Sequence, residues 1–277
     1  MEGLSRSYTS DHRIIEDGSV AFACSQDVEE WPWLALPAQH PLTIQTQNFW
    51  SSVGATQALD ARDDSKWSAL TWTDWTLGDA RASMAAHGVF RRIGPEDEIG
   101  FETELFDAQD RLITRLRGKG VVFRTRNFEK WREGSKEQVR TVRQTSGAFT
   151  YTTRSQLGLS EAEPPLLSPL SESGGTLSTQ ALITKANGLT PGHPYFSGSG
   201  DHVNAPHLAE IGRQVVSLLV HGKPLVVTHA EMDMHRYIEL ETPFEIAIER
   251  QGERRANLAI RQLDRSCATI TMDWAIR

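Results

Sequence analysis

Between residues 193 and 214 the chain reads HPYFSGSGDHVNAPHLAEIGRQ, and this stretch gathers the side chains best suited to acid–base chemistry. His193 precedes Pro194 in a Gly/Ser loop, where an imidazole can be partly desolvated yet reachable, and it suits proton transfer near neutrality. The plainer alternative is a loop histidine bonded to backbone. Glu210 stands on a helical pattern with Gln214 one turn later, close to the edge of the apolar face. Solvated, it is an ordinary surface carboxylate. Partly buried, it would favour the protonated acid and become a proton donor. Asp201 adjoins His202 and could orient an imidazole or simply cap the turn. The free backbone N–H groups expected near Ala205–His207 could hold an oxyanion developing on a thioester carbonyl.

The elements that must position these groups follow from periodicity. His207–His221 repeats Leu208, Ile211, Val215, Leu218 and Leu219 at helical spacing, which predicts an amphipathic helix with one buried face. Asn204 and Pro206 stand where a cap and a first-turn proline belong. A strand at 176–185 precedes it. Four strands at 225–238, 244–250, 256–263 and 267–276 follow, the last alternating Ile270, Met272, Trp274 and Ile276 with Thr271, Asp273 and Ala275. The first half repeats the order, with a strand at 19–25, a helix at 49–59 and strands at 68–77, 84–93, 98–106 and 112–127. A Pro/Gly/Ser-rich stretch between them breaks both kinds of element. The expected organisation is an N-terminal unit over 1–150, a linker over 151–178 and a C-terminal unit over 179–277. The fold class is α+β, a double hotdog: two tandem units, each a curved antiparallel sheet wrapped around a central helix, a duplication rather than two unrelated domains.

Composition bounds the function. The 277 residues carry 29 Lys+Arg against 36 Asp+Glu, a net charge of −7, which gives no global attraction for nucleic acid. No apolar run approaches the ~20 residues of a membrane helix. The N-terminal stretch has neither a secretory nor a transit pattern, and two cysteines, Cys24 and Cys267, make no disulfide framework. A cytoplasmic protein is the expectation.

The pattern His193-Pro194, Asp201-His202-Val203, then Glu210 with Arg213-Gln214, resembles the A-factor biosynthesis (AfsA-type) hotdog family. His235-Arg236-Tyr237-Ile238-Glu239 before Pro243 is similar to that family as well. The likeness covers roughly the last hundred residues. A wider resemblance is to β-hydroxyacyl thioester dehydratases, with a loop His and a helix acid followed four residues on by Gln. These resemblances imply a tandem hotdog enzyme of specialised, polyketide- or fatty-acid-like metabolism acting on acyl thioesters. The acyl group would ride on phosphopantetheine of an acyl-carrier protein or on coenzyme A. No metal or other cofactor is implied, and the chain would be a monomeric pseudo-dimer or a homodimer. The implied reaction is dehydration, isomerisation or cyclisation, with His193 as base and Glu210 as acid. The alternatives are acyl transfer from a β-ketoacyl thioester to a hydroxyl acceptor, for which Arg213 or Arg236 would hold a phosphate, and a non-catalytic protein that binds an apolar ligand. The first half keeps His40-Pro41, with Gln57 as far after His40 as Glu210 is after His193. Related dehydratases build each site across the subunit seam. On that pattern His40 would serve Glu210, and His193 would face Gln57. Otherwise His193, Asp201, His202 and Glu210 act together. Catalytic candidates are thus His193, Glu210, Asp201, His202 and His40, and substrate-binding ones Gln214, Arg213, Arg236 and Gln57.

Weaker features read as structure. Trp67, Trp72 and Trp75 suit core packing, and Gly118-Lys119-Gly120 lacks phosphate-loop spacing. Arg115, Arg117, Arg124, Arg126 and Arg132 suit an exposed strand face or a docking patch for an acidic carrier. Glu231, Asp233, His229 and His235 suit a half-solvated strand rather than a metal.

Overall fold

The computed structural model describes residues 7–60, 67–94, 99–123, 128–145, 148–161, 163–184, 187 and 202–277. The chain divides into two compact units, 1–125 and 126–277. Unit 1 contains β1 (Thr9–Ile14), β2 (Val20–Cys24), α1 (Pro41–Ala58), β3 (Trp67–Leu77), β4 (Ala85–Arg92), β5 (Ile99–Asp107) and β6 (Leu112–Phe123). Its strands pair antiparallel in the order β1-β2-β4-β5-β6-β3. The period of two decides which face is inward: Phe101, Thr103, Leu105 and Asp107 of β5 are buried and their neighbours are half-buried. Phe22, Phe90, Phe101, Leu105, Ile113 and Leu116 form much of this core, and α1 packs on β1, β2, β4 and β5.

Unit 2 contains α2 (Phe128–Thr145), β7 (Ser171–Ser173), β8 (Thr176–Ala181), β9 (His202–Val203), α3 (Ala205–Leu219), β10 (Leu225–Met234), β11 (Ile238–Glu239), β12 (Phe244–Arg250), β13 (Arg255–Gln262) and β14 (Arg265–Ile276). Its main sheet runs β7-β8-β12-β13-β14-β10, with β9 and β11 as a separate small ribbon. Strand for strand this is the order of unit 1, and in both units the central helix follows the second strand. The connectivity is therefore duplicated, and the fold is the double hotdog that the periodicity suggested. Among the elements described, α2 and the β9–β11 ribbon have no counterpart in unit 1.

Three features differ from the sequence reading. The first central helix begins at Pro41, not near Phe49. Its first turns carry Thr43, Gln45, Thr46, Gln47 and Asn48, all buried, so no apolar stripe marked them. Second, unit 2 begins at 126 and takes in the stretch expected to be linker. Leu157, Leu166 and Leu167 are fully buried there. Thr152 N–H bonds to Leu167 O at 2.7 Å, and Leu167 bridges to Ala181. The prolines at 164 and 165 thus interrupt regular structure without loosening the chain. Third, α2, whose charge outweighs its narrow apolar stripe, and the polar strands β1 and β7 are additions to the expected elements. Among the described residues no helix is long and apolar enough to cross a membrane.

Candidate functional site

The α3 helix sets the site. Its N-terminus is closed by His207, whose Nδ1 accepts the Asn204 N–H at 3.2 Å, and Pro206 stands in the first turn, where its missing N–H costs nothing. Glu210 is the sixth residue of the helix and only 2% exposed. A carboxylate so deeply buried needs donors, and it has them. Arg213 gives Nε–H to Oε2 at 2.9 Å and Nη2–H to Oε1 at 2.7 Å, a two-pronged grip. Gln214 gives Nε2–H to Oε1 at 2.8 Å.

The same residues tie α3 to the preceding segment. Gln214 also donates to Pro164 O at 3.0 Å and accepts the Leu166 N–H at 2.9 Å. Arg213 Nη2 reaches Glu163 Oε1 at 2.8 Å, and Ser160 donates its N–H and hydroxyl to Glu163 Oε2 at 3.0 and 2.7 Å. One guanidinium therefore lies between two carboxylates. Burial alone would lower the pKa of Arg213, but Glu210 and Glu163 outweigh it and hold the group above its ordinary value. Glu163 and Glu210 bring two carboxylates together, and Arg213 already spans them.

A second buried cluster anchors the ribbon that leads into α3. Arg132, on α2, gives Nε–H to Glu239 Oε1 at 3.2 Å and Nη2–H to Oε2 at 2.5 Å, with both side chains nearly inaccessible. Its guanidinium lies 4.8 Å from the Tyr237 ring centroid. Gln262 accepts the Glu239 N–H at 2.8 Å and donates to Glu239 O at 3.0 Å. His202 pairs with Glu239 in the ribbon and meets Tyr237 edge to face at 4.6 Å.

The expected site residues sort as follows. His193 and Asp201 lie outside the described residues. Glu210 and His202 flank the start of α3. Arg213 and Gln214, expected to meet substrate, bond to Glu210, Glu163 and the 164–166 backbone. Arg236 is exposed in the turn after β10, where its N–H bonds to Cys267 O at 3.1 Å. His40 caps α1, its Nδ1 accepting the Leu42 N–H at 3.2 Å, so the neutral ring carries its proton on Nε2. Gln57 is exposed at the far end of α1 and is no counterpart of Glu210. Counted from the helix starts, that place belongs to Thr46. The equal spacing from each His-Pro misled because His40 adjoins its helix, whereas His193 stands twelve residues before Ala205. Glu163 was missed: nothing local marks an acid whose partner is fifty residues away.

The weaker features resolve into structure. Arg115 and Arg117 pair across strands with Glu104 and Glu102, each at 2.7 Å. Arg124 and Arg126 lie outside the described residues, and Arg132 is the buried partner of Glu239. His229 pairs with Asp273 at 3.2 Å and His235 with Asp233 at 3.1 Å.

No model of a known protein family matches the chain, and no curated protein matches it. Solved structures do. An acyl-ACP thioesterase from Bacteroides thetaiotaomicron superposes with a TM-score of 0.54 at 8% identity, over 93% of this chain and 97% of that one. The 12:0-ACP thioesterase from Umbellularia californica gives 0.53 at 9% identity, over 94% and 97%. The dehydratase domain from the CurF module of curacin polyketide synthase gives 0.49 at 12%, over 98% and 97%, too loose to carry an argument. At these identities the likeness concerns the fold, and its near-complete coverage on both sides agrees with two tandem hotdog units.

Proposed function

We propose that this chain is an acyl-thioester-processing enzyme whose chemistry is proton transfer by Glu210, and that its reaction is loss of water from a β-hydroxyacyl thioester. The observation that carries the reading is Glu210 itself: a carboxylate buried in the central helix, one turn inside a capped N-terminus, gripped by Arg213 and Gln214. In this reading the roles expected from sequence exchange. Glu210 takes the α-proton, and the C–H electron pair becomes the new C=C bond. The C–O bond breaks, and the departing hydroxide takes a proton from a histidinium, for which His193 is the candidate. Backbone N–H groups at the start of α3 lower the cost of the enolate oxygen. The thioester would arrive on the pantetheine of a carrier protein or coenzyme A, since the two thioesterases of the same fold are named for acyl-ACP substrates. Neither step calls for a metal or a redox cofactor.

A second reading has the same carboxylate deprotonate water or an alcohol that then attacks the thioester carbonyl. It asks of Glu210 nothing but a base, with no second proton donor. One experiment separates the two. Pantetheine thioesters of β-hydroxy and β-keto acids are incubated with the protein in D₂O, with and without an added alcohol, and followed by mass spectrometry. Elimination gives loss of water and deuterium at the α-carbon, and transfer gives free pantetheine with an acid or ester. Glu210→Gln is expected to lower elimination roughly 10²- to 10⁴-fold and to abolish α-exchange. Loss of the histidine that supplies the proton, tested as His193→Ala, spares exchange while stopping elimination. Full activity in Glu210→Gln, or binding of every thioester without turnover, overturns the proposal.

A further inference from the structure

One ion pair joins the two elements that, among the described residues, unit 2 has and unit 1 lacks: α2 and the β9–β11 ribbon. Arg132 of α2 holds both carboxylate oxygens of Glu239 on β11, and its guanidinium lies over the Tyr237 ring. Tyr237 in turn meets His202 of β9 edge to face. From β9 the chain passes through a single residue, Asn204, into α3, the helix that carries Glu210. Unit 1 enters its central helix through His40 and Pro41, and Thr46 stands there at the place of Glu210. The two additions therefore meet at the entrance to the helix with the buried acid. Stability alone does not account for this choice of partners, because an apolar pair of similar volume in place of a buried ion pair is often neutral or stabilising. What a two-pronged ion pair supplies, and an apolar contact does not, is direction. Direction matters at this end of α3. Pro206 has no N–H, and the Leu208 N–H already bonds to Asn204 O at 3.0 Å, so a donor to an enolate oxygen lies between Ala205 and His207 and takes its aim from the residues just before it.

We propose that Arg132 is a positioning residue, which acts through Tyr237 and His202 to aim the first N–H groups of α3 at the enolate oxygen. Gln262 has a separate task. It bonds to the Glu239 N–H and to the carbonyls of Glu239 and Thr242, so β11 stays in place without Arg132. β9 is held more lightly. It is two residues long and pairs with β11, and so short a ribbon is marginal without side-chain support. The contact of His202 with Tyr237 gives that support, and Arg132 backs the ring. The inference rests on the acyl-thioester reading above and deepens it, by placing control of the enolate donors on a helix that only this half of the chain has.

The test compares the full chain with Arg132→Met/Glu239→Leu, which removes both charges together. Amide hydrogen exchange is read by mass spectrometry, and α-exchange of the β-hydroxyacyl pantetheine thioesters is followed in D₂O. In the double variant the amides of residues 202–208 are expected to exchange at least roughly tenfold faster. The amide of residue 239, which Gln262 holds, and those in the rest of α3 keep their wild-type rates. A donor used only in the transition state changes kcat and leaves KM alone, so kcat for α-exchange falls roughly 10- to 10²-fold at unchanged KM. Arg132→Lys keeps the charge but cannot hold both oxygens. It shows the same two changes in milder form, and it carries the test if the double variant does not fold. Unchanged exchange at 202–208 overturns the inference whatever the activity, and so does a wild-type kcat in both variants. Faster exchange at 202–208, in variants of a wild-type protein that turns over no thioester, leaves Arg132 as the residue that positions the start of α3 and overturns the acyl-thioester reading instead.

Discussion

Arg132→Met removes one charge from a pair that is closed to water on both sides. Arg132 is 2% exposed and Glu239 5%. The variant keeps an unbranched apolar stem but strands Glu239 without its two guanidinium bonds, at 3.2 and 2.5 Å. Breaking a buried pair this way costs about 3–5 kcal/mol, and losing the stack on Tyr237 adds about 0.5–2 kcal/mol. The backbone of β11 stays fixed by Gln262, so the loss reports the charge rather than collapse of the ribbon. At about 2–4 °C per kcal/mol for a unit of this size, the first figure alone reads as a fall of roughly 6–20 °C. Urea titration of Arg132→Met, Glu239→Leu and the double variant closes a double-mutant cycle. The double variant should recover most of the loss, with a coupling of about 2 kcal/mol or more. A cost below about 1 kcal/mol for Arg132→Met, the value of an exposed pair, refutes the reasoning. So does a double variant as unstable as the sum of the two singles.

Two further outcomes follow from packing and titration. A Cβ on Gly212 would meet only the mobile Cε of Met272, at 2.6 Å, whereas one on Gly88 would meet Phe22 Cζ at 2.5 Å and the Glu104 carbonyl at 2.7 Å. Gly212→Ala should be near neutral, helped by about 1 kcal/mol of helix preference, and Gly88→Ala should cost about 1–3 kcal/mol in the same urea titration. Burial pushes the Cys24 thiol from its ordinary 9 up to about 12. Above pH 9 the unfolded chain releases this proton and the folded chain keeps it, so stability falls as pH rises from 9 towards 12. Burial raises the Tyr8 hydroxyl as well, which steepens the fall above pH 10. Cys24→Ala should flatten the part that begins at pH 9 and leave the part due to Tyr8. An unchanged alkaline limb would count against the burial of the thiol.

What the sequence made legible tracks how much of each element's pattern is apolar. β14 and α3 carry their periods in Ile, Leu, Val, Met and Trp, and both lie close to where the spacing put them. β1 (TSDHRI) and β7 (SES) are polar because edge strands commonly are. The first turns of α1 are polar although buried, the reverse of what periodicity assumes. α2 is rich in charge, and its anchor, Arg132, reaches a partner more than a hundred residues away. In the site, Glu210 and its neighbour Gln214 were visible because they share one helix face. The use made of Arg213 was not, since it depends on Glu163 from a segment whose prolines suggested looseness.

The duplicated connectivity has a consequence for how such a protein can change. In a homodimer of single hotdogs one gene spells every residue twice, so a substitution that improves one copy is imposed on the other. Fusing two copies into one chain ends that obligation. Thr46 can stand in the first helix where Glu210 stands in the second, and the polar first turns of α1 can change while Glu210, Arg213 and Gln214 are kept. The insertion of α2 in one half alone records the same freedom. In a fused pair each half can therefore be altered by itself, and the two halves of this chain do differ.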